Sequence, residues 1–419
     1  MNRRMDNKKL NIGAFVLAKY ARTEEHIRDA AESGLDFFIH AEADRDMLDL
    51  FHKYGLGLIA VDSVYYWWGG NGIQGKMHEE CPVEIYEQAA ARFADHPAIW
   101  GIEMGDEPSA IDFVHMGKVT ERINELFPNQ FAIMNLYPNY ASVIQNTEEE
   151  TESDLGTTTY QEYIDLYCKY MPCDHICYDH YPFGSNWKTT KDAYSYRIPL
   201  FLENLRVVED ACLKTGRKHW LVIQVNNYEE GQIISLNQMR YQAFVGMAYG
   251  AECLIWACYT AGWWENNILD SEGNKTPQYD KMKQVNREIH IIGEEYMKYR
   301  HVDTHLVGFT GHPDAKGVNR EPIESLNTGI FFDVKADNGA PIVVGQMVSR
   351  ADDDSYALMI CAADDSHDLG SESYNITFRT YGRTVTAIGG EGLVPVTMLE
   401  NGYCSVPVTS NAGVLIIAR

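Results

Sequence analysis

The chain has 419 residues, 45% of them hydrophobic and 23% charged, and its formal net charge is −25 at pH 7. This composition is that of a globular protein and excludes a mostly disordered or fibrous chain. So large an acidic excess repels phosphate groups, which argues against nucleic acid and anionic membranes as partners. Aromatic residues make up 12%, with 8 Trp and 26 Tyr, and they either fill cores or pack against apolar-faced ligands such as sugars.

No stretch of about 18 apolar residues is present, so no transmembrane helix is predicted. The first ten residues are basic and polar, without the apolar segment and cleavage site of a signal peptide. A cytoplasmic protein is therefore expected, or a secreted or periplasmic one if a leader has been removed. The cysteines form no CxxC pair, and buried free thiols are predicted rather than a disulfide framework or a metal site. Four of them lie in apolar, strand-like segments: Cys173, Cys177, Cys253 and Cys258.

Over the first three quarters of the chain, short apolar segments alternate with longer amphipathic ones. The predicted strands are Asn11–Lys19, Leu35–His40, Gly57–Asp62, Ala98–Met104, Gln130–Leu136, His175–Asp179, His219–Val225 and Glu252–Tyr259. Because these segments are almost continuously apolar, they indicate a parallel sheet buried on both faces. Eight strand–helix units in about 260 residues are typical of a (β/α)8 TIM barrel. A doubly wound open sheet is the alternative, weakened because no glycine-rich phosphate loop follows the first strand.

The intervening helices are predicted from their amphipathic spacing and from capping residues, such as Thr23 before the first helix and Gly34 after it. The last helix is predicted over Pro277–Tyr299. From Val302 onward the pattern changes to short alternating segments separated by turn residues, which predicts an antiparallel β-sandwich. Its predicted strands are Ile342–Val348, Tyr356–Cys361, Tyr374–Arg379, Thr384–Gly389, Val394–Leu399, Cys404–Val408 and Val414–Ala418. Two domains follow, a barrel over residues 1–301 and a sandwich over residues 302–419.

The functional face of such a barrel lies at the carboxyl ends of its strands, and the fourth strand ends in adjacent carboxylates, Asp106 and Glu107, followed by Pro108. One explanation is structural, because the helix dipole alone favours acidic residues at the start of a helix. At a barrel mouth beside aromatic loops, however, Glu107 is better explained as a general acid/base, because partial burial lets a carboxyl hold its proton near neutral pH. Glu103, deeper in the strand, is expected to point into the layers of the barrel interior or to form an internal pair.

The sixth strand ends in Asp179, His180 and Tyr181, and the seventh carries Gln224 and Asn226. His180 and Tyr181 could equally be packing residues of the core. As a functional group, Asp179 would supply a second carboxylate or a ligand to a sugar hydroxyl. Gln224 and Asn226 carry amides suited to recognising hydroxyl groups.

Aromatic and amide side chains recur in the loops at the same end of the predicted barrel. A pyranose packs its CH-rich face on an aromatic ring and pairs its hydroxyls with amides and carboxylates, so these residues predict a sugar site. Each aromatic residue alone is more often a packing residue, and it is their joint placement that favours binding. The candidates are Trp67, Trp68, Asn135, Tyr137, Trp263, Trp264 and Glu265.

The segment WGIEMGDEPS, which ends the fourth strand, resembles the Asn/Asp-Glu-Pro signature of the large clan of barrel glycoside hydrolases that includes β-galactosidases, β-glucosidases and cellulases. The segments MNLYPNY, YDHYPF and ACYTAGWWENNILDSEGNKTPQY are similar to parts of bacterial glycosyl hydrolases that carry a C-terminal β-sandwich. The resemblance implies that Glu107 is the acid/base. It also implies that the preceding residue, usually Asn and here Asp106, contacts the sugar 2-hydroxyl.

The clan's nucleophile is a Glu at the end of strand seven, and the stretch Ile223–Asn226 contains none. Asp179 is the preferred second carboxylate, and the alternatives are Glu229, Glu230 and Glu265. The sequence therefore predicts a glycoside hydrolase that acts on an oligosaccharide without a cofactor or metal. A carbohydrate-binding barrel without hydrolysis is the second hypothesis, and a metal-dependent barrel hydrolase or isomerase is the third. The pattern leaves room for a homo-oligomer.

Overall fold

The computed structural model describes residues 5–6, 8–65, 68, 74–141, 154–183, 194–226, 233–260, 265–366 and 370–419. Several sequence candidates lie outside these residues, namely Trp67, Glu229, Glu230, Trp263 and Trp264. Within the described part of the chain, no helix is long and apolar enough to cross a membrane. All nine cysteines are free thiols. The predicted burial is confirmed for Cys177, Cys253 and Cys258, whereas Cys173 is only partly buried.

Eight parallel strands form one sheet in the order β5-β4-β3-β2-β1-β8-β7-β6. Their bounds are β1 Asn11–Phe15, β2 Phe37–Glu42, β3 Gly57–Val61, β4 Ile99–Asp106, β5 Phe131–Asn135, β6 His175–Asp179, β7 Lys218–Gln224 and β8 Ala251–Ala257. The two ends of the sheet meet through a parallel bridge between Leu136 and Tyr178. The predicted (β/α)8 barrel is therefore confirmed, and the strand order excludes the doubly wound alternative.

Helices return the chain between successive strands. They are α1 Glu24–Glu32, α2 Arg45–Tyr54, α3 Met77–Glu80, α4 Val83–Ala91, α5 Phe113–Leu126, α6 Tyr160–Tyr170, α7 Tyr194–Thr215, α8 Leu236–Ala248 and α9 Pro277–Tyr296. The hydroxyl of Thr23 accepts the backbone N–H of His26, so its predicted role as the N-cap of α1 is confirmed. Gly55 ends α2 in the left-handed conformation, which glycine adopts without steric cost.

Large buried side chains fill the inside of the barrel, so its interior is a packed core rather than a channel. Phe37, Phe131 and Trp220 meet there as aromatic neighbours, and His175 stacks on Trp220 with ring centroids 4.5 Å apart. Gly101 has no room for a side chain, because a Cβ would lie 2.3 Å from the carbonyl oxygen of Phe131. This tightly packed interior holds the strands, and with them their carboxyl ends, in place.

The chain after the barrel forms two antiparallel sheets that enclose a second hydrophobic core. Their strands are β9 Tyr299–Val307, β10 Phe332–Ala336, β11 Ile342–Ser349, β12 Tyr356–Ala362, β13 Ser373–Arg379, β14 Val385–Gly389, β15 Gly392–Val394, β16 Thr397–Met398, β17 Cys404–Thr409 and β18 Gly413–Ala418. The predicted antiparallel β domain is thus confirmed.

Two details of this region differ from the sequence prediction. The last barrel helix ends at Tyr296 rather than Tyr299, and β9 and β10 were not predicted. β9 spans the predicted boundary between residues 301 and 302. The single strand predicted over Val394–Leu399 is two short ones, because Pro395 has no N–H to donate to a ladder and separates β15 from β16.

Candidate active site

Glu107 stands at the carboxyl end of β4, where the strand turns sharply. Its φ of 50° lies in the left-handed region, which is uncommon for a residue with a side chain and typical of functional turns. The turn is fixed because the Glu107 N–H donates to the carbonyl of Asn135 at 2.7 Å. Pro108 follows immediately. The Glu107 side chain is partly exposed at the barrel mouth.

Trp68 reaches this carboxylate from the loop after β3. Its indole Nε1–H donates to Glu107 Oε2 at 2.9 Å, and its backbone forms a parallel bridge with Asp106. The Trp68 side chain is 42% exposed, so part of its ring remains available at the mouth. The predicted sugar platform therefore also orients the candidate general acid.

Asn135 links the ends of β4 and β6. Its Nδ2 donates to Asp106 Oδ1 at 2.8 Å and to Asp179 Oδ1 at 2.7 Å. Because both bonds start from one nitrogen, the two carboxylate oxygens are no farther apart than the sum of these distances. Asp179 is almost fully buried, and neither its other oxygen nor Asn135 Oδ1 has a hydrogen-bond partner among the residues that the structure describes. Buried polar atoms without partners are rare in folded proteins and often mark functional sites.

The three carboxyl groups of Asp106, Glu107 and Asp179 disfavour one another's ionisation. Burial, together with the charges of Asp179 and Asp106, raises the pKa of Glu107 well above its usual range, although the Trp68 N–H opposes the shift. Burial and the charge of Asp106 raise the pKa of Asp179 in the same way. Burial and the charge of Glu103 raise the pKa of Asp106 to about 6. The site therefore holds at least one proton near neutral pH.

The predicted internal pair of Glu103 is confirmed, and its partner is His40. His40 Nδ1 lies 3.0 Å from Glu103 Oε2, and the His40 ring stacks on Phe15 with centroids 4.8 Å apart. Both strands have a register irregularity here, at His40 in β2 and at Met104 in β4. Burial by itself lowers the pKa of His40. The charges of Glu103 and Asp106 raise it by more, so the pKa of His40 lies above its usual value.

Tyr137 and Tyr181 lie near the carboxylates, since the charges of Asp106 and Asp179 act on both, whereas the His180 ring packs against Tyr140 and Phe201. All three residues are largely shielded from solvent. Among the described residues, the hydroxyl of Tyr137 and both ring nitrogens of His180 have no hydrogen-bond partner. Burial and the charge of Glu107 raise the pKa of Tyr137, and burial lowers the pKa of His180. Tyr137 and His180 are therefore neutral groups that can donate to or accept from a ligand.

Gln224 and Asn226 are engaged within the protein. Gln224 accepts the N–H of Phe183 at 2.9 Å and donates to its carbonyl. Asn226 accepts the N–H of Cys258 at 3.1 Å and donates to Asn267 Oδ1 at 2.7 Å. These amides hold the loops after β6 and β8 rather than presenting free groups, and Glu265 is exposed at the surface.

Two features of the site were not predicted from the sequence. His40 follows the apolar part of β2, and its place at a strand end is the signal that could have identified it. Asp154 lies in an acidic stretch of the sequence, and its charge raises the pKa of both Glu107 and Tyr137. Among the described residues, no group of three or more His, Cys, Asp or Glu side chains is arranged to hold a metal ion.

Comparisons with known proteins reveal a likeness in structure but not in sequence. No protein-family model matches the chain, and no curated protein matches its sequence. A GH42 β-galactosidase from G. stearothermophilus aligns over 100% of both chains with 8% identity and a TM-score of 0.49. An endoglucanase aligns over 66% of this chain and 98% of its own, with 15% identity and a TM-score of 0.46.

An endocellulase from Pyrococcus horikoshii, described in complex with cellotetraose, aligns over 66% of this chain and 92% of its own, with 10% identity and a TM-score of 0.46. All three TM-scores lie below 0.5, and the identities are 15% or lower. A likeness this distant says nothing about activity, which depends on the side chains at the barrel mouth.

Proposed function

We propose that the protein is a glycoside hydrolase that cleaves O-glycosidic bonds of oligosaccharides, with Glu107 as its general acid/base. The observation that carries the proposal is the state of Glu107, a partly exposed carboxyl at the barrel mouth whose pKa is raised well above its usual range. Such a group retains its proton near neutral pH and can deliver it to a leaving oxygen. Trp68 fixes one of its oxygens and so aims the other.

Asp179 is the second carboxylate in this proposal. In the first step Glu107 protonates the glycosidic oxygen while the bond from that oxygen to the anomeric carbon breaks. Asp179 then either bonds to the anomeric carbon, giving an ester that water hydrolyses, or accepts a proton from the attacking water. The carboxyl separation distinguishes these routes, since about 5–5.5 Å fits retention and roughly 6.5–9.5 Å fits inversion.

Sugar hydroxyls would be held by the groups that surround the carboxylates. Asp106, Asn135 Oδ1 and the Tyr137 hydroxyl supply donors and acceptors, and within the described part of the chain Asn135 Oδ1 and the Tyr137 hydroxyl have no partner. A sugar that completes these hydrogen bonds removes the cost of leaving them unmade. The exposed part of the Trp68 ring supplies an apolar platform.

The proposal is tested with a panel of nitrophenyl glycosides and oligosaccharides of neutral sugars, assayed with the wild type, Glu107→Gln and Glu42→Gln. Glu42 is the matched control, because it ends β2 at the same end of the barrel and forms an ion pair with Lys19 at 3.8 Å. Loss of turnover in the Glu107 variant alone supports the assignment. Equal turnover in the wild type and the Glu107 variant would overturn it.

A carbohydrate-binding barrel without hydrolysis is the second candidate. It is favoured by the end of β7, where Gln224 stands in place of a carboxylate and is hydrogen-bonded to Phe183. Calorimetry on the same oligosaccharides separates the two functions. Saturable binding of oligosaccharides with no product released over the whole panel would favour binding alone.

A further inference from the structure

A second cleft lies at the opposite end of the barrel from Glu107. It opens where β7 and β8 begin and where β9 starts the C-terminal sheets, and its volume is about 250 Å³. That is space for roughly eight water molecules at about 30 Å³ each. The volume falls just below the range of about 300–1,000 Å³ typical of drug-sized ligands, so the cleft suits a small molecule.

The floor of the cleft contains buried polar atoms that the protein leaves unpaired. Tyr249 is fully buried, and its hydroxyl has no partner in the described part of the chain. His301 has a side chain that is only 10% exposed; its Nε2 bonds to Glu209 at 2.5 Å, and its Nδ1 has no partner among the same residues. Since natural proteins pair almost all such atoms, two of them lining one cleft indicate a site for a polar ligand.

The charges around the cleft are positive once internal ion pairs are counted. Glu209 is neutralised by Arg320 at 2.7 Å, and Glu252 by Arg350 at 2.5 Å. Arg217 and Arg300 also line the cleft, and in the described part of the chain neither has an ion-pair partner. In a chain with a net charge of −25, such a local excess of cations is unusual.

Arg217 already has one structural role. Its Nε and Nη2 donate to the carbonyls of Cys168, Met171 and Cys173 at 2.7–3.0 Å, and so complete the C-terminal end of α6. These contacts hold the guanidinium in place without neutralising its charge. Arg300, on β9, is exposed at the rim. The two cations therefore come from the connection between α7 and β7 and from β9, and both line one cleft.

We infer that this cleft binds a phosphate group, either free or carried by a small organic molecule. Donors reach it from separate directions, the Tyr249 hydroxyl from the floor and Arg217 and Arg300 from the sides. His301 Nε2 donates to Glu209, so its Nδ1 is an acceptor for a protonated oxygen of the phosphate. Such a surround suits an oxyanion with several oxygens better than a planar carboxylate, which one guanidinium grips in a bidentate pair. The site is independent of hydrolysis at the barrel mouth.

The test measures binding of inorganic phosphate, glucose 6-phosphate and glucose by calorimetry and by thermal shift on the full chain. Tyr249→Phe removes only the unpaired hydroxyl, and Tyr241→Phe is its matched control, because Tyr241 is also buried with an unpaired hydroxyl but does not line the cleft. Arg300→Gln removes a rim cation, and Arg28→Gln on α1 is its exposed control.

We expect saturable binding of a phosphate ligand, weakened about tenfold or more by Arg300→Gln, which removes a charge-assisted hydrogen bond. Tyr249→Phe should weaken binding without lowering the Tm of the free protein, whereas Tyr241→Phe and Arg28→Gln should bind like the wild type. Tighter binding of glucose 6-phosphate identifies a phosphorylated sugar, and equal binding identifies free phosphate. No saturable binding, or equal shifts in all variants, overturns the inference.

Discussion

The substitution Glu107→Gln tests the proposed mechanism most directly, because it keeps the shape of the side chain and an acceptor for the Trp68 N–H. The amide cannot deliver a proton. General acid catalysis contributes about 10²–10⁴ in rate, which corresponds to roughly 3–5 kcal/mol of activation free energy. The upper part of this range is expected for alkyl and sugar leaving groups. The lower part is expected for nitrophenol, which departs with little protonation.

The same substitution should stabilise the fold. Glu107 is held beside Asp106 and Asp179, and their repulsion and its own burial are what raise its pKa. Replacing it by a neutral isostere removes that cost, and a gain of about 1 kcal/mol is expected, as for other substitutions at strained active sites. In a barrel of about 300 residues the Tm would rise by about 1–2 °C. Calorimetric melting and initial rates on paired alkyl and nitrophenyl glycosides measure both effects.

An unchanged rate on alkyl glycosides would refute the acid role of Glu107. A large fall in Tm together with a loss of rate equal for both leaving groups would also refute it, since that pattern describes a structural acid. Glu42→Gln should match the wild type in both assays.

Three further outcomes are expected. Asp179→Asn should lower kcat by at least about 10²-fold with the melting temperature maintained; wild-type rates would contradict its role. The pKa of Asp106 is raised to about 6, so the folded state binds its proton more tightly than the unfolded state, and stability falls as pH rises from about 4 through 6. Asp106→Asn should therefore show a smaller loss of urea midpoint over that interval, and a slope equal to the wild type would contradict this. His40→Gln should lower the free energy of unfolding by about 3 kcal/mol, because it leaves Glu103 buried without its partner. It should also move the acidic limb of the pH–rate profile to higher pH, since His40 lowers the pKa of Asp106. An acidic limb at the wild-type pH would contradict the link between His40 and Asp106.

The strands and most helices could be predicted from the sequence because their burial follows the pattern of apolar residues along each segment. His175–Asp179 was predicted with the bounds that the structure has. β10 was missed because only two of its residues are buried, so that Phe332–Ala336 lacks a clear alternation. The start of β9 was assigned to the preceding helix, since Tyr299 continues the apolar spacing of α9.

The candidate site could be predicted only as a set of strand ends. Which side chains meet depends on local irregularities that spacing does not encode, such as the left-handed turn at Glu107 and the extra residue at His40. Gln224 and Asn226 show the opposite error of interpretation. Their amides would suit a sugar equally well. In the structure, however, the loops beside them supply backbone partners, which the hydrophobic periodicity of the sequence does not predict.

β7 ends without a carboxylate, and the carboxylates of the candidate site lie instead near the junction of β5 and β6, where the barrel closes. β5 and β6 are the ends of the sheet, and among the described residues they are bridged at Leu136, whose N–H donates to the Cys177 carbonyl at 2.9 Å and whose carbonyl accepts the Asp179 N–H at 3.4 Å. This bridge sets Asn135 directly beside Asp179, and Asn135 in turn holds Asp106. Closure of the barrel thus assembles the carboxylates on strands four to six, and a second carboxylate from strand six is the arrangement that this topology makes available.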